Sequence, residues 1–171
     1  PTTNATLDLP VPGAQGSLGF NNDIVIDGYP SYITALDFIT PPDAVYGLET
    51  VIQIVMNMST PVEVVGYPTI LLETGTHDRL AVYTSGSGTS ALFFEYVPQP
   101  GDQTYRLDYV FDRDKLNSCA DSFNLEGESG TGAIYTLSAN SHLPAHVYLN
   151  PQKGELLGSN SIRVVDGISY F

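Results

Sequence analysis

The stretch Thr50-Val-Ile-Gln-Ile-Val-Met-Asn-Met58 decides the fold class, because apolar side chains recur in it at every second position. Side chains on a strand alternate between its two faces, whereas a helix repeats after about 3.6 residues. The stretch therefore predicts a strand that we expect Pro61 to end. Its two faces carry Ile52, Ile54, Met56 and Met58 on one side and Gln53, Val55 and Asn57 on the other.

Similar strands recur at short intervals, separated by turns rich in glycine and proline. No segment carries a convincing helical period, so we expect almost no helix. This organisation predicts an all-β protein folded as an antiparallel Greek-key β-sandwich, with a barrel as the alternative. The further predicted strands are Asp23–Ile26, Tyr32–Phe38, Val62–Val65, Thr69–Glu73, Arg79–Thr84, Ser90–Val97, Arg106–Phe111, Ala133–Leu137, His146–Leu149 and Ile162–Val165.

Composition limits the partners of the chain. Six Lys and Arg residues against nineteen Asp and Glu residues give a net charge of −13, which argues against nucleic acid because phosphate binding needs a basic face. The acidity serves either solubility or the binding of Ca²⁺, and both interpretations stay open. A single cysteine, Cys119, excludes an internal disulfide and a cysteine-based zinc site. No apolar run is long enough for direct membrane insertion.

One segment of the chain occurs twice. Ser17–Gly28 recurs in part as Leu156–Gly167, 139 residues further on (17 to 156): six of the twelve aligned positions are identical, and both copies end in Asp-Gly. Such a recurrence is typical of tandem arrays, in which each unit passes to the next through a short joint. We therefore expect residues 1–28 to close a preceding repeat and form a linker, residues 29–167 to form one module, and residues 168–171 to begin the next joint.

Several short motifs, in a fixed order, together cover most of the chain. They are Tyr46-Gly47, Ser59–Val62, Gly66–Gly75, Arg79–Thr89, Phe94–Tyr96, Gly101-Asp102 and Leu107–Tyr109, flanked by Asn4–Gly13 and Ser17–Gly28. In these motifs the chain resembles the Ig-like tandem repeats of large surface proteins and adhesins of bacteria and some microbial eukaryotes. This resemblance implies an Ig-like β-sandwich that acts as a spacer or adhesion module outside the cell, and no catalysis. Two features depart from the usual repeat, namely Thr60 in place of an acidic residue and a long, irregular region 115–151.

Three aspartates are the candidate calcium ligands. Asp27 and Asp166 lie at the two joints, and Asp108 lies in Leu107-Asp-Tyr109, which is similar to a calcium-binding motif of cadherin-type repeats. An ion held between a domain end and a linker would stiffen the array. The alternative is that Asp108 only stabilises a turn through hydrogen bonds to the backbone. Ca²⁺ is the one cofactor considered, and we expect no transition metal.

Two sequons, at Asn4 and Asn57, are candidate glycosylation sites. Asn57 falls on the polar face of its predicted strand, where a glycan has room. Glycosylation at these sites fits the extracellular or cell-surface location that the resemblance implies.

No constellation of residues announces a catalytic site, and we read the three histidines as bystanders. Six tyrosines could stack on sugars, although most of them are expected in core or interface packing. They keep a carbohydrate-binding module as the alternative to a structural and adhesive repeat. The expected partners are neighbouring repeats or copies of the same chain, and surface glycans. The six tyrosines are Tyr29, Tyr32, Tyr67, Tyr105, Tyr148 and Tyr170.

Overall fold

The described part of the chain is built from strands and contains no helix. The computed structural model describes residues 8–20, 28–41, 44–110, 123–124, 132–138, 141–147 and 162–165. Within these ranges the all-β, mainly antiparallel fold class is confirmed. Accordingly, no helix of the described residues has the length and apolar character that crossing a membrane requires.

Eleven strands follow one another along these residues. Most of the predicted strands are found within one or two residues of their expected bounds. The strands are β1 (Ile33–Phe38), β2 (Val45–Tyr46), β3 (Ile52–Val65), β4 (Thr69–Glu73), β5 (Arg79–Ser85), β6 (Thr89–Tyr96), β7 (Asp108–Tyr109), β8 (Phe123–Asn124), β9 (Ala133–Ser138), β10 (Ser141–Pro144) and β11 (Arg163–Val164).

Nine strands form one curled sheet. Seven of them lie side by side in the order β10-β9-β3-β6-β5-β4-β7. Strand β1 also pairs with β3, and β8 also pairs with β4. Strands β2 and β11 form a separate parallel pair. The Greek-key sandwich arrangement and the module boundaries stay predictions, because residues 21–27 and most of residues 148–171 lie outside the described part.

Strand β3 is the centre of the sheet and runs past Pro61, so the prediction that Pro61 ends it is wrong. Asn57 pairs with Ala91 and Val62 pairs with Thr89, so five residue steps on β3 face only two on β6. The extra residues form a bulge, where the ladder is interrupted and the missing N–H of proline does no harm. The predicted separate strand Val62–Val65 is therefore the second half of β3.

The buried face predicted for the opening stretch is confirmed. Ile52, Ile54 and Met56 are wholly buried and Met58 nearly so, while Gln53 is exposed. They pack in one apolar cluster with the inward faces of the other strands, chiefly Leu36, Ile70, Leu72, Ala81, Leu92, Phe94, Tyr96, Leu107, Ile134 and Val164.

The end of the chain follows the prediction less closely. A strand was expected at His146–Leu149, but β10 lies earlier, at Ser141–Pro144, and antiparallel to β9. His146 forms an isolated bridge with Tyr32, in which its N–H donates to the carbonyl of Ser31 at 2.7 Å, and residues 148 and 149 lie outside the described part. The predicted strand at residues 23–26 lies outside the described residues.

Candidate functional site

A buried carboxylate lies just beyond the end of β6. Asp102 is 0% exposed, although burial strips a charged group of its hydration. Its Oδ1 accepts a hydrogen bond from Arg79 Nε at 2.8 Å. Its Oδ2 accepts one from Tyr96 OH and another from the backbone N–H of Gln99, each at 2.8 Å. Three donors, one of them cationic, thus replace the water that Asp102 gives up.

Tyr96 acts as a permanent donor in this cluster. Burial foremost, and then the hydrogen bond and negative charge of Asp102, raise the pKa of the Tyr96 phenol far above its usual value, and the charge of Arg79 offsets this only in part. The phenol therefore stays protonated and keeps its bond to Asp102. Tyr96 thereby supports the carboxylate that holds Arg79 through its Nε.

The backbone anchors the same turn to the neighbouring β4–β5 connection. Gln103 N–H donates to Thr74 O at 2.8 Å, and Gly75 forms a bridge with Asp102. Gly75 has a φ of 104°, and a Cβ placed there would lie 2.5 Å from Gln103 O. Only glycine allows the two segments to approach this closely.

Next to this cluster lies a groove of about 650 Å³, which we call the β4–β5 groove. Its apolar lining consists of Tyr67, Leu80 and Val82. Leu80 and Val82 flank the buried Ala81 on β5, so the alternation of the strand directs them to the outer face. Tyr67 belongs to the β3–β4 connection and is 66% exposed, which leaves much of its ring open to solvent.

The polar lining of the β4–β5 groove consists of Thr69, Asp78, Arg79 and Gln99. The Arg79 side chain is 28% exposed, and of its five N–H donors the hydrogen bond to Asp102 occupies the one on Nε. The Thr69 hydroxyl is buried and finds no hydrogen-bond partner among the described residues. Since this oxygen has almost no accessible surface, the groove ligands can reach only the other three polar side chains. The groove therefore offers donors and acceptors beside an apolar surface.

Of the three candidate calcium ligands, only Asp108 lies within the described residues. It begins β7 and faces Glu73 across the ladder, and its Oδ1 accepts the N–H of Tyr109 at 2.9 Å. Asp27 and Asp166 lie outside the described part, so their distance to Asp108 is not defined. Within that part, no three acidic, histidine or cysteine side chains come together as a metal site.

The candidate glycosylation site Asn57 lies on the half-buried face of β3, opposite the face that fills the core. Its carbonyl accepts the hydroxyl of Thr34 at 3.0 Å, and its partners across the ladders are Ala35 and Ala91. Asn4 lies outside the described residues.

The four described tyrosines of the predicted sugar-stacking set are all more than half exposed, so they do not pack in the core, and interface packing stays a prediction for them. Tyr67 alone among these four lines the β4–β5 groove, and Tyr105 lies 4.8 Å below the guanidinium carbon of Arg163. His142, read as a bystander, contacts Glu63 on β3 at 2.6 Å. Tyr148 and Tyr170 lie outside the described residues.

Comparisons with known proteins add no relative. No protein-family model matches the chain, and neither a curated protein nor a solved structure matches it. The class of the chain comes from its own structure, which is all-β with a curled antiparallel sheet.

The Asp102 cluster is the feature that the sequence interpretation missed. Arg79 begins β5, and Asp102, 23 residues further on, lies in the connection between β6 and β7. The available signal was weak: a turn Pro98-Gln-Pro-Gly-Asp102 next to a strand that ends in tyrosine, and few basic residues in an acidic chain. Burial of Asp102 depends on the pairing of β4, β5 and β6, which local patterns do not reveal.

Proposed function

We propose that the chain is a structural and adhesive Ig-like module of a long extracellular or cell-surface fibrous protein, in which it acts as a spacer or in assembly. The proposal rests chiefly on the recurrence of Ser17–Gly28 at Leu156–Gly167. An all-β unit between two such joints suits a tandem array, since each unit can supply its own core.

The described part of the N-terminal segment supports this proposal. Residues 8–20 form short turns, and Leu9 and Leu18 are 91% and 90% exposed. Apolar side chains left in solvent are available to a neighbouring repeat or to a second copy of the chain. In this proposal Asp27, Asp108 and Asp166 bind Ca²⁺ at the joints, and Asn4 and Asn57 carry glycans.

The test is small-angle X-ray scattering of the chain and of two copies fused head to tail. We expect the maximum dimension of the fusion to approach twice that of the single chain, with scattering typical of a rod. A fusion with a flexible Gly/Ser linker between the copies is the matched control and should give a broader distance distribution. A directly fused pair as compact as one unit would overturn the proposal.

A carbohydrate-binding module of a secreted protein is the second candidate. The observation that favours it is Tyr67, whose exposed ring stands in a groove beside the fixed Arg79. In that case the groove, and not the joints, would define the function. The two candidates agree in assigning the chain no enzymatic activity.

A further inference from the structure

The β4–β5 groove combines an open aromatic ring with aliphatic side chains. It is lined by Tyr67, Leu80 and Val82, all of them exposed. Leu80 and Val82 lie on the outer face of β5, whose other face is buried. Aromatic rings give large contact areas and lose little conformational freedom on binding, so they serve well as platforms. This part of the groove suits a flat ligand face made of C–H groups.

The polar side of the groove suits a ligand edge rich in hydroxyls. Arg79 offers only donors, Asp78 only acceptors when ionised, and Gln99 both. One of these groups is held before any ligand arrives, since Asp102 accepts a hydrogen bond from Arg79 Nε at 2.8 Å, and the backbone of Gln99 is anchored to the same carboxylate while its side chain stays exposed. Pre-positioned groups bind without a large ordering cost.

We propose that the β4–β5 groove binds a neutral saccharide, with a pyranose ring stacked on Tyr67 and its hydroxyls hydrogen-bonded to Arg79, Asp78 and Gln99. A pyranose has one face of C–H groups and an edge of hydroxyls, which matches the two sides of the groove. This inference rests on the proposed adhesive function and names the class of its target. A volume of about 650 Å³ lies within the range of small-molecule sites.

The charges favour a neutral ligand over an acidic one. The positive charge of Arg79 is already balanced by Asp102 at 2.8 Å. Asp78 then leaves the groove lining with an unbalanced negative charge, in a chain whose net charge is −13. Uronate or sulfate groups would be repelled at close range, so neutral hexoses or pentoses are the expected units.

The test is titration of the ¹⁵N-labelled chain, followed by amide NMR signals, with defined oligosaccharides. The neutral probes are maltohexaose, cellohexaose, mannohexaose and xylohexaose, and the acidic probes are hexagalacturonate and a hyaluronan hexasaccharide. We expect at least one neutral probe to shift the amides of Tyr67, Leu80 and Gln99. The acidic probes should bind at least about tenfold more weakly.

Three variants separate the groove from the rest of the surface. Tyr67→Ala should weaken binding of the neutral probe about tenfold, and Gln99→Ala should weaken it about threefold. Tyr32→Ala, which removes an exposed tyrosine at the start of β1, should leave the affinity unchanged. Neither Tyr67 nor Gln99 is buried, so we expect the melting temperatures to stay close to that of the parent chain.

Three results would overturn the proposal: no neutral probe shifts the groove amides at millimolar concentration, acidic probes bind more tightly, or Tyr67→Ala binds like the parent. Small-angle scattering from the two-copy fusion tests the adhesive module separately from the groove proposal. A rod-like fusion that binds no saccharide overturns the groove proposal and leaves the array standing. A saccharide that binds at the groove, together with a compact fusion, overturns the array and leaves the groove proposal standing.

Discussion

At the scale of single residues, Asp102 organises the end of the sheet that carries the groove. It is the one fully buried acid among the described residues, and it engages Arg79, Tyr96 and the Gln99 backbone. Removing one partner from a buried charge costs more than the missing hydrogen bond contributes, because the charge stays behind without compensation. The stability of this end therefore depends on all three donors.

Tyr96→Phe should lower the free energy of unfolding by about 1–3 kcal/mol, since Asp102 loses a buried donor and the ring stays in place. Urea unfolding measures the change. Tyr105→Phe is the matched control, because Tyr105 is largely exposed, and it should stay within about 0.5 kcal/mol of the parent. A Tyr96→Phe chain as stable as the parent would show that Asp102 does not need the phenol.

The same tyrosine predicts how stability depends on pH. The folded-state pKa of Tyr96 is raised above the unfolded value near 10, so the folded chain retains a proton that the unfolded chain releases. Its contribution is complete below pH 10 and falls as the pH rises further, by about 1.4 kcal/mol per pH unit. Urea unfolding between pH 8 and about 11 should show this decline, and the decline should be smaller in Tyr96→Phe.

Gly86→Ala should destabilise the β5–β6 turn far more than Gly88→Ala. Both glycines have a positive φ, 114° and 88°, but a Cβ at Gly86 would lie 2.1 Å from Ala91 O, whereas a Cβ at Gly88 meets nothing within 4 Å. We expect a loss of about 1 kcal/mol at Gly88 and clearly more at Gly86. Thermal unfolding compares the two variants, and equal losses would contradict the close approach.

At the scale of elements, β3 connects the parts of the sheet. The first half of β3 lies between β1 and β6. Its second half pairs with β9, on the same edge of β3 to which β1 is paired in the first half. The bulge around Pro61 separates the two halves. A bulge bends a strand and increases its twist, so this one irregular segment lets β3 serve two different neighbours along one edge.

Met56→Ala should lower the free energy of unfolding by about 2–5 kcal/mol, because Met56 is wholly buried in the core. Val55→Ala is the matched control on the opposite, half-exposed face of the same strand, and it should cost about 1 kcal/mol. Chemical unfolding of both variants gives the difference. Similar losses at the two positions would mean that β3 buries both of its faces equally.

At the scale of the whole molecule, the described residues form one curled sheet and a separate two-stranded pair around an apolar cluster, in a chain of net charge −13. Such a charge keeps a protein soluble, and it also attracts cations. The proposed array combines the two effects, since calcium at the joints would both neutralise carboxylates and stiffen the connection between units.

Ca²⁺ should raise the melting temperature by several degrees relative to chelator, because an ion that binds the native state shifts the unfolding equilibrium. Mg²⁺ should do less, since it demands a stricter geometry. The rise should disappear when Asp27, Asp108 and Asp166 are all changed to Asn. Asp37→Asn is the control, because Asp37 also accepts the N–H of its successor, at 2.8 Å. No rise in the parent, or an equal rise in the triple variant, would contradict calcium at these residues.

Local pattern was sufficient for most of the strands, although not for β2, β8 and β10. The alternation in residues 50–58 predicts both the strand and its buried face, and the glycines at 86 and 88 predict the turn between β5 and β6. These features depend on a few neighbouring residues, because side-chain alternation and positive φ are properties of the local backbone. The extension of β3 past Pro61 escaped this reasoning, since the bulge exists only in relation to β6 and β9.

Tertiary structure decided the pairing of the strands and the candidate site. Arg79, Tyr96 and Asp102 form one cluster, and Tyr67 faces the same groove, only because β4, β5 and β6 lie side by side. Their contacts join positions far apart in sequence, and each depends on burial that the assembled sheet creates. Alternation along one strand specifies which face is buried, whereas the identity of the neighbour is settled by the packing of the whole core.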